Sequence, residues 1–197
     1  MRWLRIQVNG EAINLLRPAS THVIITAMLN KEQIRALIKE QKLVEGYIDA
    51  EIQLTPNGFD LTAGGIFEFD SSGALDFSNT QRRLPAGSAL AVRKDAPDDA
   101  FGWWHLKKGG YKVVTNEVVN LPCDLIGIAF PRSSLLRMGA FVHNGVWDAG
   151  FKGRSEFILV VENPYGIKVK QNARLVQLVF LPIGRVKEGY QGIYQNL

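Results

Sequence analysis

The segment Pro131-Arg132-Ser133-Ser134-Leu135-Leu136-Arg137 sets cationic and hydroxyl donors together just after an apolar run. Arginine offers a fixed fork of donors to phosphate oxygens and serine hydroxyls fill the gaps, so the segment is chemically suited to a polyphosphate. Read alone, Arg-Ser-Ser at a strand end describes a surface turn equally well. Close behind comes Asn144-Gly145-Val146-Trp147-Asp148, which brings in a carboxylate. Other chemistries find no support. His22, His105 and His143 lie far apart and form no H-x-x-x-H pair for zinc. Ser133 and Ser134 sit in no G-x-S-x-G elbow, and no glycine cluster follows the Rossmann or Walker spacing.

These segments need a scaffold, and the pattern around them supplies one. Asn30 followed by Gln33 makes a capping-box start, Ile34, Leu37 and Ile38 follow at helical spacing, and Gly46 is the expected stop. After this short helix the chain reads as brief apolar runs: Ile66-Phe67, Leu90 to Val92, Tyr111 to Val114, Leu125 to Phe130, Phe157 to Val161 and Leu175 to Leu181. With 19 glycines and 8 prolines as punctuation, they predict a mainly β chain folded as a compact β-barrel or jelly roll behind a short N-terminal helix. Lys94 to Gly110 is the most loop-like stretch, and its Trp103-Trp104 pair reads as packing rather than a platform for a base.

A chain of 197 residues is one domain with a modest extension. Residues 28–197 carry the patterned domain, and 1–27 are an extension for which an upstream start at Met1 rather than Met28 is one explanation. Met1-Arg2-Trp3-Leu4-Arg5 mimics a basic targeting start, but Asn9, Glu11, Asn14, Arg17 and Pro18 break any apolar run, so neither a signal peptide nor a membrane span is expected. The net charge of +4 is scattered among acids, with no basic stripe for a nucleic acid. A single cysteine, Cys123, fits a reducing, cytoplasmic setting.

Taken together, four blocks say more than each alone. Asn57-Gly58-Phe59-Asp60-Leu61-Thr62, Pro131-Arg132-Ser133-Ser134-Leu135, Gly145-Val146-Trp147-Asp148-Ala149-Gly150-Phe151-Lys152-Gly153 and Ala173-Arg174-Leu175-Val176-Gln177-Leu178-Val179-Phe180 resemble, in order and spacing, the motifs of the trimeric dUTPase and dCTP deaminase superfamily. The likeness runs from about Leu29 to Leu197 and is strongest to the archaeal type of dUTPase. It implies the dUTPase-like β-clip fold and a homotrimer with sites between subunits. The implied reaction is magnesium-dependent hydrolysis of dUTP to dUMP and pyrophosphate. In that reading Asp148 is the general base, and Arg132, Ser133, Ser134 and Gln177 hold phosphate oxygens. Asn144, Gly145 and Val146 meet the base, and Phe151 lies beneath the sugar. The tail residues Tyr190, Gln191, Tyr194 and Gln195 close over the nucleotide, and Asp60 approaches Mg²⁺ through water. Arg137 reaches phosphate or braces the subunit interface. Outside the resemblance, Asp60 and Asp148 both also read as turn aspartates.

The alternative within the superfamily is a dCTP deaminase, or an enzyme with both activities. Deaminases carry a proton-moving glutamate on the strand after the third motif. Counted from Asp148 that place is Ile158, or Val160 if Arg154-Ser155 is an insertion, and neither can shuttle a proton. Glu156 and Glu162 stand nearby out of register, although strand alternation puts both on the same face as Ile158. Gly145-Val146 replaces the deaminases' bulky polar pair, and glycine lets a nucleobase press against backbone that can read uracil's edge. The residues therefore favour dUTP hydrolysis.

Overall fold

The computed structural model describes the backbone of residues 2–8 and 11–17 and the whole of residues 28–197. Strands β1 (Arg2–Val8) and β2 (Glu11–Arg17) pair antiparallel, with Arg2 opposite Arg17 and Val8 opposite Glu11. The rest of the 1–27 segment lies outside the described residues. Helix α1 (Lys31–Gln41) begins as expected: the Asn30 side chain accepts from the Gln33 amide at 2.9 Å, and the Gln33 side chain accepts from the Asn30 amide at 2.9 Å. Its end corrects the reading of Gly46. The helix stops at Lys42, which adopts a left-handed φ of 55°, with its N–H donating back to Ile38 and Leu37. Gly46 instead turns the chain after β3 (Val44–Glu45) at a φ of +69°, where an added Cβ would lie 3.1 Å from the Asn116 carbonyl.

Helix α2 (Ala50–Gln53) is a single turn capped by Asp49, and it runs into β4 (Leu54–Thr55) and the long strand β5 (Gly58–Phe69). There follow β6 (Gly87–Ala89), β7 (Trp103–Leu106), β8 (Gly109–Asn120), β9 (Leu125–Pro131), the short helix α3 (Ser133–Arg137), β10 (Ala140–His143), β11 (Lys152–Val161), β12 (Ile167–Lys170) and β13 (Arg174–Pro182). One nine-stranded sheet runs β10-β11-β8-β5-β13-β9, with β3 added to β8 and β4 and β6 added to β5. Its two end strands, β10 and β9, approach each other, so the sheet nearly closes into the expected barrel. Two expectations shift. Leu90 to Val92 follow β6 rather than forming a strand, and the loop-like stretch contains β7, paired antiparallel with β12. Trp104 is buried and donates its indole N–H to the Leu90 carbonyl at 3.0 Å, while Trp103 carries the Lys170 ammonium over its ring, so both tryptophans pack. No helix among the described residues is long and apolar enough to cross a membrane.

Strand β8 shows how the barrel fills. Its residues alternate inward and outward, and the inward row is Tyr111, Val113, Thr115, Glu117 and Val119. Phe59, Leu61, Leu159, Leu178 and Phe180 meet that row and are fully buried. Glu117 is the ionisable member of this row. Its carboxylate accepts from the Thr62 amide (2.9 Å), the Thr62 hydroxyl (2.6 Å) and Gln53 Nε2 (2.7 Å), so donors from β5 and α2 replace water.

Burial raises the pKa of Glu117 above the ordinary carboxylate value, with the Thr62 and Gln53 bonds pulling against it. A carboxyl whose folded pKa exceeds its unfolded pKa adds stability that is complete below the unfolded value and is lost as pH rises through the folded one. Relative to Glu117→Gln, whose amide does not titrate, the native chain is expected to lose melting temperature steadily as pH climbs from about 4 toward neutrality. Paired thermal melts across that range check this. A gap between the two proteins that stays constant with pH refutes it.

Candidate active site

Asp148 owes its position to the tryptophan before it. Trp147 is buried, exchanges two backbone hydrogen bonds with Gly127 of β9 (2.9 and 3.0 Å), and donates its indole N–H to Ser155 Oγ at 2.7 Å. Gly127 permits this approach, since a Cβ there would lie 3.2 Å from Trp147 Cβ and 3.0 Å from a Leu178 methyl. With Ala149 also buried, the exposed Asp148 side chain is held outward between two anchored neighbours. The Phe151 amide donates to the Asp148 carbonyl at 3.0 Å and closes the turn through Gly150, whose φ is +81°.

Asp148 opens onto a cavity of about 600 Å³, a size that suits a small-molecule ligand. Gly145, Val146, Phe151, Tyr190 and Tyr194, all singled out in the sequence, line it. Nothing stands within 4 Å of where a Gly145 Cβ would be, so the backbone there is open to approach. Strand β11 supplies one wall through Arg154, Glu156 and Ile158, which share a face. Lys112 stands opposite Ile158 in the β11–β8 register and pairs with Glu156 at 3.3 Å. Phe69, Leu84 and Pro85 complete the rim. The sequence reading did not place Lys112, Arg154 or these three apolar residues at the site. Alternation from Ile158 marks Arg154 and Glu156, whereas Lys112 becomes visible only once strand pairing is known.

The C-terminal segment forms a roof. The Tyr190 amide donates to the Ala149 carbonyl (2.8 Å), the Asn196 amide to the Lys152 carbonyl (2.7 Å), and the Arg154 amide to the Leu197 carbonyl (2.8 Å). The Tyr190 ring meets Phe151 edge to face at 5.7 Å. Within the chain Gln195 is a latch: its Nε2 donates to the Gly150 carbonyl and its Oε1 accepts from the Lys152 amide, both at 2.9 Å, so both ends of the amide hold the tail. Gln191 is exposed and stands outside the cavity lining. Asn144 also stands outside it, and donates to the Gly145 carbonyl at 3.0 Å.

A second cluster gathers elsewhere on the chain. Asp60 on β5 is 1% exposed, and its Oδ2 receives Arg132 Nε at 2.9 Å and Arg174 Nη1 at 3.2 Å. Burial pushes this carboxyl up and the two guanidinia pull it back down. Asp60 therefore does not fit the expected approach to hydrated Mg²⁺, because its side chain is shut away from water and already neutralised by two guanidinia. No group of three His, Cys, Asp or Glu among the described residues is arranged to hold a metal ion. Ser133, Ser134 and Arg137 are exposed on α3, whose N-cap Arg132 makes no side-chain capping bond. Gln177 faces Asp60 in the β13–β5 register and donates to Thr55 Oγ1 at 2.6 Å. Arg132, Ser133, Ser134, Arg137 and Gln177 line no part of the cavity within one chain.

Residues 28–183 match the family described as dCTP deaminase-like. A protein of Methanosarcina mazei named probable deoxyuridine 5'-triphosphate nucleotidohydrolase is 48% identical, over 86% of this chain and 97% of its own length. A Methanocaldococcus jannaschii protein named deoxyuridine 5'-triphosphate nucleotidohydrolase is 37% identical, over 74% of this chain and 89% of its own. Among solved structures, the 2'-deoxycytidine 5'-triphosphate deaminase of Agrobacterium tumefaciens superposes with a TM-score of 0.58 at 23% identity. That match covers 81% of this chain and 49% of the deaminase chain, and it carries the fold alone.

The roof depends on a glycine pair. A Cβ on Gly150 would lie 2.6 Å from Gly189 Cα in a left-handed backbone, so Gly150→Ala is expected to lift the tail and leave the barrel intact. A destabilisation of about 1–2 kcal/mol confined to the tail makes trypsin cleavage at the exposed Lys187 roughly tenfold faster, with little change in the main melting transition. Digestion timed by mass spectrometry checks it, and an unchanged rate at Lys187 counts against the latch.

Proposed function

The chain belongs to the dCTP deaminase-like family, and from that membership we propose that it hydrolyses dUTP to dUMP and pyrophosphate. The observation that carries the reading is the exposed Asp148 carboxylate, held at a cavity shared with the open Gly145 backbone and the Phe151 ring, where the β11 wall presents Ile158. The Gly145 and Val146 backbone offers an amide and a carbonyl to uracil's edge. Phe151 beneath the sugar leaves no room for a ribose 2'-hydroxyl. Asp148 orients a water and takes its proton as the water oxygen attacks the α-phosphorus. The bond from that phosphorus to the bridging oxygen breaks, and pyrophosphate leaves.

Arg132, Ser133, Ser134 and Gln177 fit the triphosphate chemically but do not face the cavity of their own chain. A homotrimer in which one subunit's cluster faces another's cavity completes the site. Magnesium is a companion of the triphosphate in this reading. When bound with the triphosphate it would supply charge neutralisation at the leaving pyrophosphate, and Asp60, engaged by Arg132 and Arg174, would not be its ligand.

A second reading, dCTP deamination, has one observation in its favour. Glu156 lines the cavity, two residues from the place a deaminating glutamate would take. Its carboxylate is engaged by Lys112 at 3.3 Å, and the in-register position is aliphatic, so hydrolysis of dUTP remains the better fit.

Purified protein given dUTP, dCTP or dTTP with Mg²⁺ is expected to release pyrophosphate from dUTP and no ammonia from dCTP. Sustained ammonia release overturns the choice and points to Glu156. Asp148→Asn should keep the fold and dUTP binding while kcat falls by about 10²–10⁴-fold, the usual contribution of a general base. A near-normal kcat with a lowered melting temperature makes Asp148 a turn residue instead. Light scattering alongside the assay is expected to find activity in the trimer, and a fully active monomer defeats the shared site.

A further inference from the structure

Arg174 takes no part in the cavity, yet it is tied to the fold more firmly than a surface arginine needs to be. Its Nη1 donates to the Ile52 carbonyl at 2.7 Å and to Asp60 Oδ2 at 3.2 Å, which joins β13 to α2 and β5. Arg132 meets the same oxygen through Nε at 2.9 Å, and its Nη1 reaches back toward the Arg174 carbonyl at 3.5 Å. Each arginine keeps about one third of its side chain exposed, while the Asp60 side chain is 2% exposed. Two guanidinia thus share one buried carboxylate, and one positive charge is left over. Gln53 Nε2 bonds both the Asp60 carbonyl (2.9 Å) and the Glu117 carboxylate (2.7 Å), so Glu117 adjoins this network without pairing with either arginine. The exposed hydroxyls of Ser133 and Ser134 adjoin Arg132.

We infer that Arg174 is a positioning residue for the anion site: it neutralises and fixes Asp60, so that the Arg132 charge is left for a polyphosphate beside Ser133 and Ser134. This rests on reading that cluster as the triphosphate site. Without Arg174, Asp60 and Arg132 would form a neutral partly buried pair and the local excess of positive charge would vanish. Arg132 would then be drawn inward with nothing to oppose Asp60. Arg174 acts through Asp60 on Arg132 and makes no phosphate contact of its own.

Inorganic tripolyphosphate binding, measured by calorimetry, tests this apart from any turnover. Arg174→Met should weaken binding about tenfold, as expected for loss of one charge-assisted interaction. Arg174→Lys, which keeps the charge, should stay within about threefold of the native protein. Adding Asp60→Asn to Arg174→Met should restore most of the loss, because no carboxylate remains to neutralise Arg132. Should that double variant fail to fold, the cycle with Arg132→Met decides: a pair of changes no worse than Arg132→Met alone supports the inference. Losses that multiply in that cycle make Arg174 a direct ligand and overturn it, as does a native protein with no affinity for tripolyphosphate. A protein that binds tripolyphosphate with this pattern but releases no pyrophosphate from dUTP refutes the hydrolase reading and supports the role of Arg174.

Discussion

A carboxylate shut away from water stays charged only where other donors replace the water, and this barrel sets two such groups close together. One amide nitrogen, Gln53 Nε2, donates both to the Glu117 carboxylate and to the Asp60 backbone carbonyl, and each carboxylate gathers donors from strands distant in sequence. Glu117 draws in Thr62 of β5, and Asp60 draws in Arg132 at the end of β9 and Arg174 at the start of β13. Satisfied networks of this kind fix register, because sliding any strand by one residue strands a charge in the core. The central strands and the cationic edge before α3 are thereby specified by the same few side chains.

How much of this the sequence reveals depends on whether a feature is local. The start of α1 is legible because Asn30 and Gln33 are three residues apart and satisfy each other. Its end is not, since nothing about Lys42 announces a left-handed backbone, and Gly46 offers a better stop on paper. Apolar runs expose β8, β9, β11 and β13, whereas β7 hides its Trp103-Trp104-His105-Leu106 among aspartates, prolines and glycines that read as loop. At the site, the turn from Gly145 to Phe151 is legible as a continuous motif. Asp60 misleads for the opposite reason: its letter shows a charge but not that two arginines from other strands cover it. Lys112 and the rim residues Leu84 and Pro85 reach the cavity through pairing and loop path, which no window of sequence contains.

The site regions also differ in what they ask of the chain. The cavity combines an aliphatic and aromatic wall with single polar groups, a surface suited to a flat ring whose edge is read by backbone. The Arg132 cluster is polar throughout and owes its form to a buried counter-charge. Strand β9 touches both within one chain, carrying Gly127 against Trp147 near its start and Arg132 just beyond its end, so each region is anchored to a rigid element rather than to loops alone.

The meeting of Gly150 and Gly189 has a meaning for how such a chain can change over generations. Each glycine occupies the space that a methyl group on the other would fill, with 2.6 and 2.9 Å separating the hypothetical carbon from the opposing Cα. No compensating substitution exists, because neither partner has a side chain left to remove. Between and beyond these contacts, Gln191 and Ile193 are exposed and the tail is fastened largely by main-chain bonds that any residue can make. The roof can therefore drift in composition, and acquire new side chains toward the cavity, while its contact of two glycines stays where it is.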